Sequence, residues 1–209
     1  MSIFQEANSP QEKIRKKLTI RSPQPTDGVA IHNLIRNSAF VDNNSLYLYL
    51  LMASHHAHTS ALAERNGETV GVITAYIPPQ QSDTLFIWQV AVDPMMRRQG
   101  LARAMLKFIV QGEACRNIRY LKTTVTAANG ASRNLFKTFA ENIDCPLSES
   151  VMFERNLHFR GLHDSENLLK IGPFVPQTST AATMLAHDDG PAAKPQQQAH
   201  SHPQDSLFN

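Results

Sequence analysis

Residues 90–110, VAVDPMMRRQGLARAMLKFIV, change character halfway along. Val90, Ala91 and Val92 continue an apolar strand, Asp93-Pro94 turns the chain, and Arg97, Arg98 and Gly100 follow closely. Beyond Gly100, Leu101, Met105, Phe108 and Ile109 share a helical face. A helix N-terminus leaves backbone N–H groups unpaired, and its dipole favours an anion there. Gly100 lets backbone approach a phosphate, Ala102 keeps the next turn small, and the two arginines offer guanidinium forks. Neither Gly-x-Gly-x-x-Gly nor Gly-x-x-x-x-Gly-Lys-Ser/Thr is present, so pyrophosphate suits the junction better than a dinucleotide or a mononucleotide triphosphate. Two solvated arginines before an ordinary helix are the plain alternative. The flanking strand and a second helix opening with TAANGASRNLF weigh against it.

Before the junction, LTIRS (18–22) reads as a strand and Thr26-Asp27 as the cap of a helix to about Asn37. A second helix follows Asn44-Ser45 and carries Leu46, Tyr47, Leu50 and Leu51. SALAERNGETVGVITAYI reads as a hairpin turning at Asn66-Gly67, and DTLFIWQVAV as a longer strand. After the junction helix come the strand RYLKTTVT, an amphipathic helix over 129–142 and a last strand, SVMFERNL. The predicted order β-α-α-β-β-β-α-β-α-β is a mixed α/β sheet in one domain. Residues 1–17 read as a flexible leader, 18–174 as the domain, and 175–209, rich in Pro, Gln, Ala and Ser, as a disordered tail.

Composition removes several function classes. No apolar run approaches the roughly 20 residues of a membrane span, and the N-terminus lacks the apolar core of a secretory signal. A cytoplasmic protein without a membrane partner is expected. A net charge of +2 gives no general basic footprint, so no nucleic-acid partner is expected. Cys115 and Cys145 are too few for a disulfide framework or a zinc site. His55, His56 and His58 lack a carboxylate or cysteine at ligand spacing, and no metal is expected.

Arg97-x-x-Gly100-x-Ala102 after VAVDP resembles the acyl-CoA-binding motif of the GNAT N-acetyltransferases. Asn129-x-x-Ser132-x-x-Leu135-Phe136 resembles their second CoA-contacting helix, and the likeness spans roughly residues 18–156. It implies the GNAT fold, a mixed and mostly antiparallel central sheet flanked by helices, with acetyl-CoA as co-substrate. By the same resemblance the turn of Arg98, Gln99, Gly100, Leu101, Ala102 and Arg103, with Arg97 beside it, holds the CoA pyrophosphate. Backbone groups of Val90 and Val92, on a strand bulged within 88–92, meet pantetheine and the acetyl carbonyl. Asn129 and Ser132 contribute from the second helix, and a homodimer is implied.

A finer likeness runs over about residues 20–174. VDNNSLYLYLLMASHHAHTSALAE, LFIWQVAVDP, TTVTAANGASRNLF and LLKIGPF together resemble the L-2,4-diaminobutyrate acetyltransferases of ectoine biosynthesis. This implies acetylation of the γ-amine, giving N-γ-acetyl-diaminobutyrate, a precursor of the osmoprotectant ectoine.

Such a substrate carries two ammonium groups and one carboxylate, so its pocket needs carboxylates. Asp42 and Glu166 are the candidates, against the plainer roles of a turn residue and a solvated acid. Trp88, expected on the strand face of Val90 and Val92, offers an aromatic wall that favours a cation, where a core role is the alternative. Asn44 and Tyr47 add polar contacts. Acyl transfer needs the neutral amine, and deprotonating a lysine-like amine of pKa roughly 10.4 at pH 7 costs about 4.6 kcal/mol. Glu166 is assigned as base and Asp42 as the group orienting an amine, with the two roles interchangeable. Selection of the γ-amine over the less basic α-amine must come from positioning. Direct attack needs no acyl-enzyme, so neither cysteine is required. Phe136 stands where many superfamily members carry a tyrosine that reprotonates the thiolate, leaving that role unfilled or to water. Two alternatives remain: acetylation of another small amine, such as a polyamine or antibiotic, and a non-catalytic acetyl-CoA-binding regulator.

Overall fold

The computed structural model describes residues 18–38 and 41–174, so the expected leader and tail lie outside the described residues. Arg21 closes β1 (Leu18–Arg21) and grips two carboxylates. It donates to Asp27 at 2.7 and 2.8 Å and to Glu64 at 3.1 and 2.7 Å. Asp27 therefore does not cap α1 (Gly28–Arg36) with its side chain, as the sequence suggested. Its carboxylate is taken by Arg21 and by the Gln24 N–H, and the Arg21 bonds hold its pKa below the usual range. Ser45 does cap α2 (Leu46–His55), its Oγ accepting from the Leu48 N–H at 3.3 Å. That helix buries Tyr49, Met52 and Ala53.

β2 (Ala61–Arg65) and β3 (Glu68–Tyr76) meet across Asn66 and Gly67, whose φ of 56° and 83° are the two left-handed positions of a type I′ turn. β4 (Thr84–Val92), α3 (Leu101–Val110), β5 (Tyr120–Thr126) and α4 (Gly130–Asn142) follow. The strand expected to be last, β6 (Leu147–Phe153), is not. A further strand, β7 (Glu166–Ile171), turns back and inserts between β5 and β6. ENLLKI gives little period-two signal of its own, with polar residues interrupting the apolar ones. Pairing along both edges supplies what its sequence does not advertise.

The seven strands run in the order β1-β2-β3-β4-β5-β7-β6, antiparallel throughout except for β4–β5. Apolar layers cover both faces. One packs Ile73, Leu85, Ile87, Leu169 and Ile171 against α3 and α4 through Met105, Ile109, Phe136 and Phe139. The other packs Leu62, Val72 and Ala91 against Ile31, Ile35, Tyr49 and Ala53 of α1 and α2.

Two irregularities shape the centre. β4 and β5 pair only from Thr84–Tyr120 to Ile87–Thr123, although β4 runs on to Val92 and β5 to Thr126. A wedge opens between the unpaired ends. At its apex β4 bulges: Ile87 faces Ala75 and Gln89 faces Thr74, so Trp88 is the extra residue. The bulge corrects the expected placement of Trp88. Its ring stacks on Tyr49 of α2 at 6.5 Å, whereas Val90 and Val92 pack towards the α3–α4 layer. One inserted residue breaks the period of two, so the three no longer share a face.

Candidate active site

The Asp93–Gly100 turn is built to leave helix amides free. Asp93 accepts from the Met95 N–H at 2.8 Å, and Arg97 Nε returns to the Val92 carbonyl at 3.0 Å. Arg98 sits at φ 61° and Gly100 at φ 77°. A non-glycine residue held left-handed costs of order 1–3 kcal/mol, and such strain gathers at functional sites. Gly100 starts α3 with no side-chain cap, so the first-turn N–H groups of Leu101, Ala102 and Arg103 stay available. α4 begins beside it, its Asn129 Oδ1 accepting from the Ser132 N–H at 3.0 Å.

A cleft of about 700 Å³ joins these pieces. Val90 and Val92 form its floor; Arg97, Arg98, Gly100, Leu101, Ala102 and Arg103 one wall; Asn129 and Ser132 the other. Gln99 alone among the expected turn residues does not line it, because its Nε2 is turned back to the Met95 carbonyl at 2.8 Å. Long, floored by strand backbone and ending at helix amides and arginines, the cleft suits a chain-like ligand with a phosphorylated end.

A second cavity, of about 640 Å³, occupies the β4–β5 wedge and meets the first at Val41, Val90, Asn129 and Ser132. Asp42, Asn44, Trp88 and Glu166 all line it. Tyr47 does not: it is 67% exposed on α2, while Tyr49 turns inward to Trp88. Asp42 is held by its main chain, its carbonyl accepting from Gln89 Nε2 at 2.8 Å and Asn44 Nδ2 at 3.2 Å. Glu166 opens β7 half-buried, opposite Thr126. Burial pushes its carboxyl above the usual range; Thr124 and His163 pull the other way, and the Asp42 charge adds to the rise.

His163 went unrecognised in the sequence. It stands in the β6–β7 loop, far along the chain from Asp42, with no spacing signal. The loop folds back so that His163 Nε2 lies 3.7 Å from Asp42 Oδ2. Nδ1 lies 2.7 Å from the Asp164 carbonyl, which only accepts, so Nδ1 carries a proton. His163 lines the same cavity as Asp42 and Glu166.

Residues 29–140 match the Acetyltransferase (GNAT) family. Ard1 from Thermoplasma volcanium, with a TM-score of 0.61 at 18% identity over 74% of this chain and 97% of that one, shares the fold. The L-2,4-diaminobutyric acid acetyltransferase of Bordetella parapertussis is 44% identical over 157 residues, 75% of this chain and 84% of the relative. The solved diaminobutyrate acetyltransferase EctA from Paenibacillus lautus, in complex with its substrate L-2,4-diaminobutyric acid and coenzyme A, is 38% identical. It matches with a TM-score of 0.74 over 77% of this chain and 97% of that one. The chain belongs to the L-2,4-diaminobutyric acid acetyltransferases, within the GNAT family.

In this diaminobutyric acid acetyltransferase Phe136 is 1% exposed and is among the residues lining the wedge cavity. The Cys115 thiol is buried and pushed up to about 11, which suppresses the thiolate a nucleophile would need. Burial also raises Cys145, helped by Asp144. His56 packs on Tyr76 at 5.8 Å. Among the described residues no group of three or more His, Cys, Asp or Glu is placed to hold a metal ion, and no helix is long and apolar enough to cross a membrane.

Proposed function

We propose that the protein transfers the acetyl group of acetyl-CoA to the γ-amine of L-2,4-diaminobutyrate, giving N-γ-acetyl-diaminobutyrate for ectoine biosynthesis. The observation carrying this reading is the meeting of two unlike cavities at Val90, Asn129 and Ser132: one ends at helix amides and arginines, the other is lined by Asp42, Glu166 and Trp88. The 38% identical relative from Paenibacillus lautus is described with both ligands bound.

In the proposed reaction Asp42 draws one ammonium of the substrate to its carboxylate, and the indole of Trp88 walls the short carbon chain. Glu166, its carboxyl raised by burial, accepts the proton that the γ-ammonium must lose. The amine nitrogen attacks the thioester carbon, the C–N bond forms, the C–S bond breaks, the nitrogen gives up its second proton to solvent, and CoA leaves as thiolate. Strand backbone in 88–92 donates to the developing oxyanion. A thiolate whose thiol pKa is about 8.5 leaves without a tyrosine at position 136. Dimerisation and a cytoplasmic location belong to the same reading. Support for a dimer comes from β6, where all seven residues are exposed, Val151 to 57%.

The test is acetyl-CoA turnover with L-2,4-diaminobutyrate, lysine, ornithine and spermidine side by side, resolving which nitrogen is acetylated. Strong preference for diaminobutyrate at the γ-nitrogen is expected. Preference for another amine, or CoA binding without turnover, would replace this reading by one of its two alternatives.

A further inference from the structure

Among the described residues three buried side-chain atoms have no hydrogen-bond partner: the Tyr49 hydroxyl, the Thr74 hydroxyl and Gln89 Oε1. All three residues lie at or beside the bulge of β4: Gln89 in it, Thr74 on β3 and Tyr49 on α2. Thr74 faces Gln89 directly across the β3–β4 ladder, and Tyr49 stacks on Trp88, its chain neighbour. A primary amide in such a place is costly, since burying a polar group without full pairing works against folding. Gln89 is only 6% exposed, and its one bond leaves the sheet altogether. Nε2 donates at 2.8 Å to the main-chain carbonyl of Asp42, 47 positions earlier in the chain.

The bond fixes the amide's orientation. Nε2 must face the Asp42 carbonyl, because two oxygens cannot pair, and Oε1 is then the buried end left without a partner. The Asp42 side chain, by contrast, is 79% exposed and among the described residues makes one ion-pair contact, with His163 at 3.7 Å. What places that carboxylate is thus its main chain, and the buried anchor of that main chain is Gln89.

We propose that Gln89 is a positioning residue for the amine acceptor: its amide ties the Asp42 main chain to the β4 bulge and so sets where the Asp42 carboxylate meets the substrate ammonium. This rests on reading the wedge cavity as the diamino-acid site. It separates the two substrates cleanly, since Gln89 lines the wedge cavity and not the cofactor cleft. Gln89→Met keeps length and apolar fit while deleting the donor. Gln89→Glu keeps shape but sets oxygen against oxygen.

The experiment is steady-state kinetics on the full chain with both substrates varied, for the unaltered protein and both variants, with hydrogen exchange over residues 41–45. The expected result is a KM for L-2,4-diaminobutyrate raised at least tenfold in each variant, a KM for acetyl-CoA within twofold of the parent, and faster exchange at 41–45. A diaminobutyrate KM within twofold of the parent, or an equal rise in both KM values, overturns the tether. Should neither variant fold, exchange in the unaltered protein decides: slow exchange at 41–45 supports the tether, and exchange as fast as in an unprotected loop overturns it. Failure of the unaltered protein to acetylate diaminobutyrate is a separate outcome, and it removes the substrate reading along with the tether built on it.

Discussion

Glu166 shows how one position sets reactivity and stability against each other. Burial raises its carboxyl from the ordinary 4.5, and a base of raised pKa accepts a proton from an ammonium more readily. Its ionised form is the active one, so kcat/KM is expected to climb as pH rises through that raised value. The stability sign is opposite. With the folded pKa above the unfolded one, the stabilising contribution is complete below the ordinary value and is lost as pH rises through the folded one. Glu166→Gln is therefore expected to lower kcat by about 10²–10⁴ while leaving the thermal midpoint equal or higher, measured by initial rates and by melting at pH 8. Legibility at this scale was uneven. Asp42 and Trp88 stood within strings that resemble the family and Glu166 two residues before one, and the structure gathers the three around one cavity. His163 had no such string, and it reaches Asp42 only because a hairpin loop doubles back, which no local spacing encodes.

The strand–turn–helix junction was the element most readable from sequence, since Gly100 and the uncapped start of α3 follow from chemistry confined to a few residues. Gly100→Ala would force a Cβ into φ 77°, at about 1–2 kcal/mol, and the first turn of α3 would shift to relieve it. The expected outcome is a KM for acetyl-CoA raised roughly 5–30-fold with the KM for diaminobutyrate unchanged, read by varying each substrate in turn. β7 was the element least readable, because its strand character comes from two neighbours and not from its own residues. The bulge was implied by resemblance alone. Its consequence for Trp88 was not, because one extra residue inverts every face downstream of it.

At the scale of the whole molecule, β6 leaves an apolar edge uncovered. Val151 is 57% exposed, and beyond the strand Leu157 reaches 71% and Leu162 91%. Sedimentation is expected to give about twice the chain mass of 23.3 kDa, and Val151→Lys combined with Leu157→Glu to return it to the single-chain value.

The short β4–β5 register carries a different consequence. Only four positions, Thr84 to Ile87 against Tyr120 to Thr123, stitch one half of the sheet to the other. Past that seam, the β5-facing backbone groups of β4 have no protein strand to bond. A pantetheine arm laid along 88–92 would act as a splint across two plates, making the co-substrate a structural member of the protein it serves. Coenzyme A at 100 times its Kd is then expected to stabilise the fold by about 2.7 kcal/mol. It should also slow hydrogen exchange at 88–92 and 124–126 together, while diaminobutyrate alone, lacking such an arm, leaves the seam exchanging at its free rate.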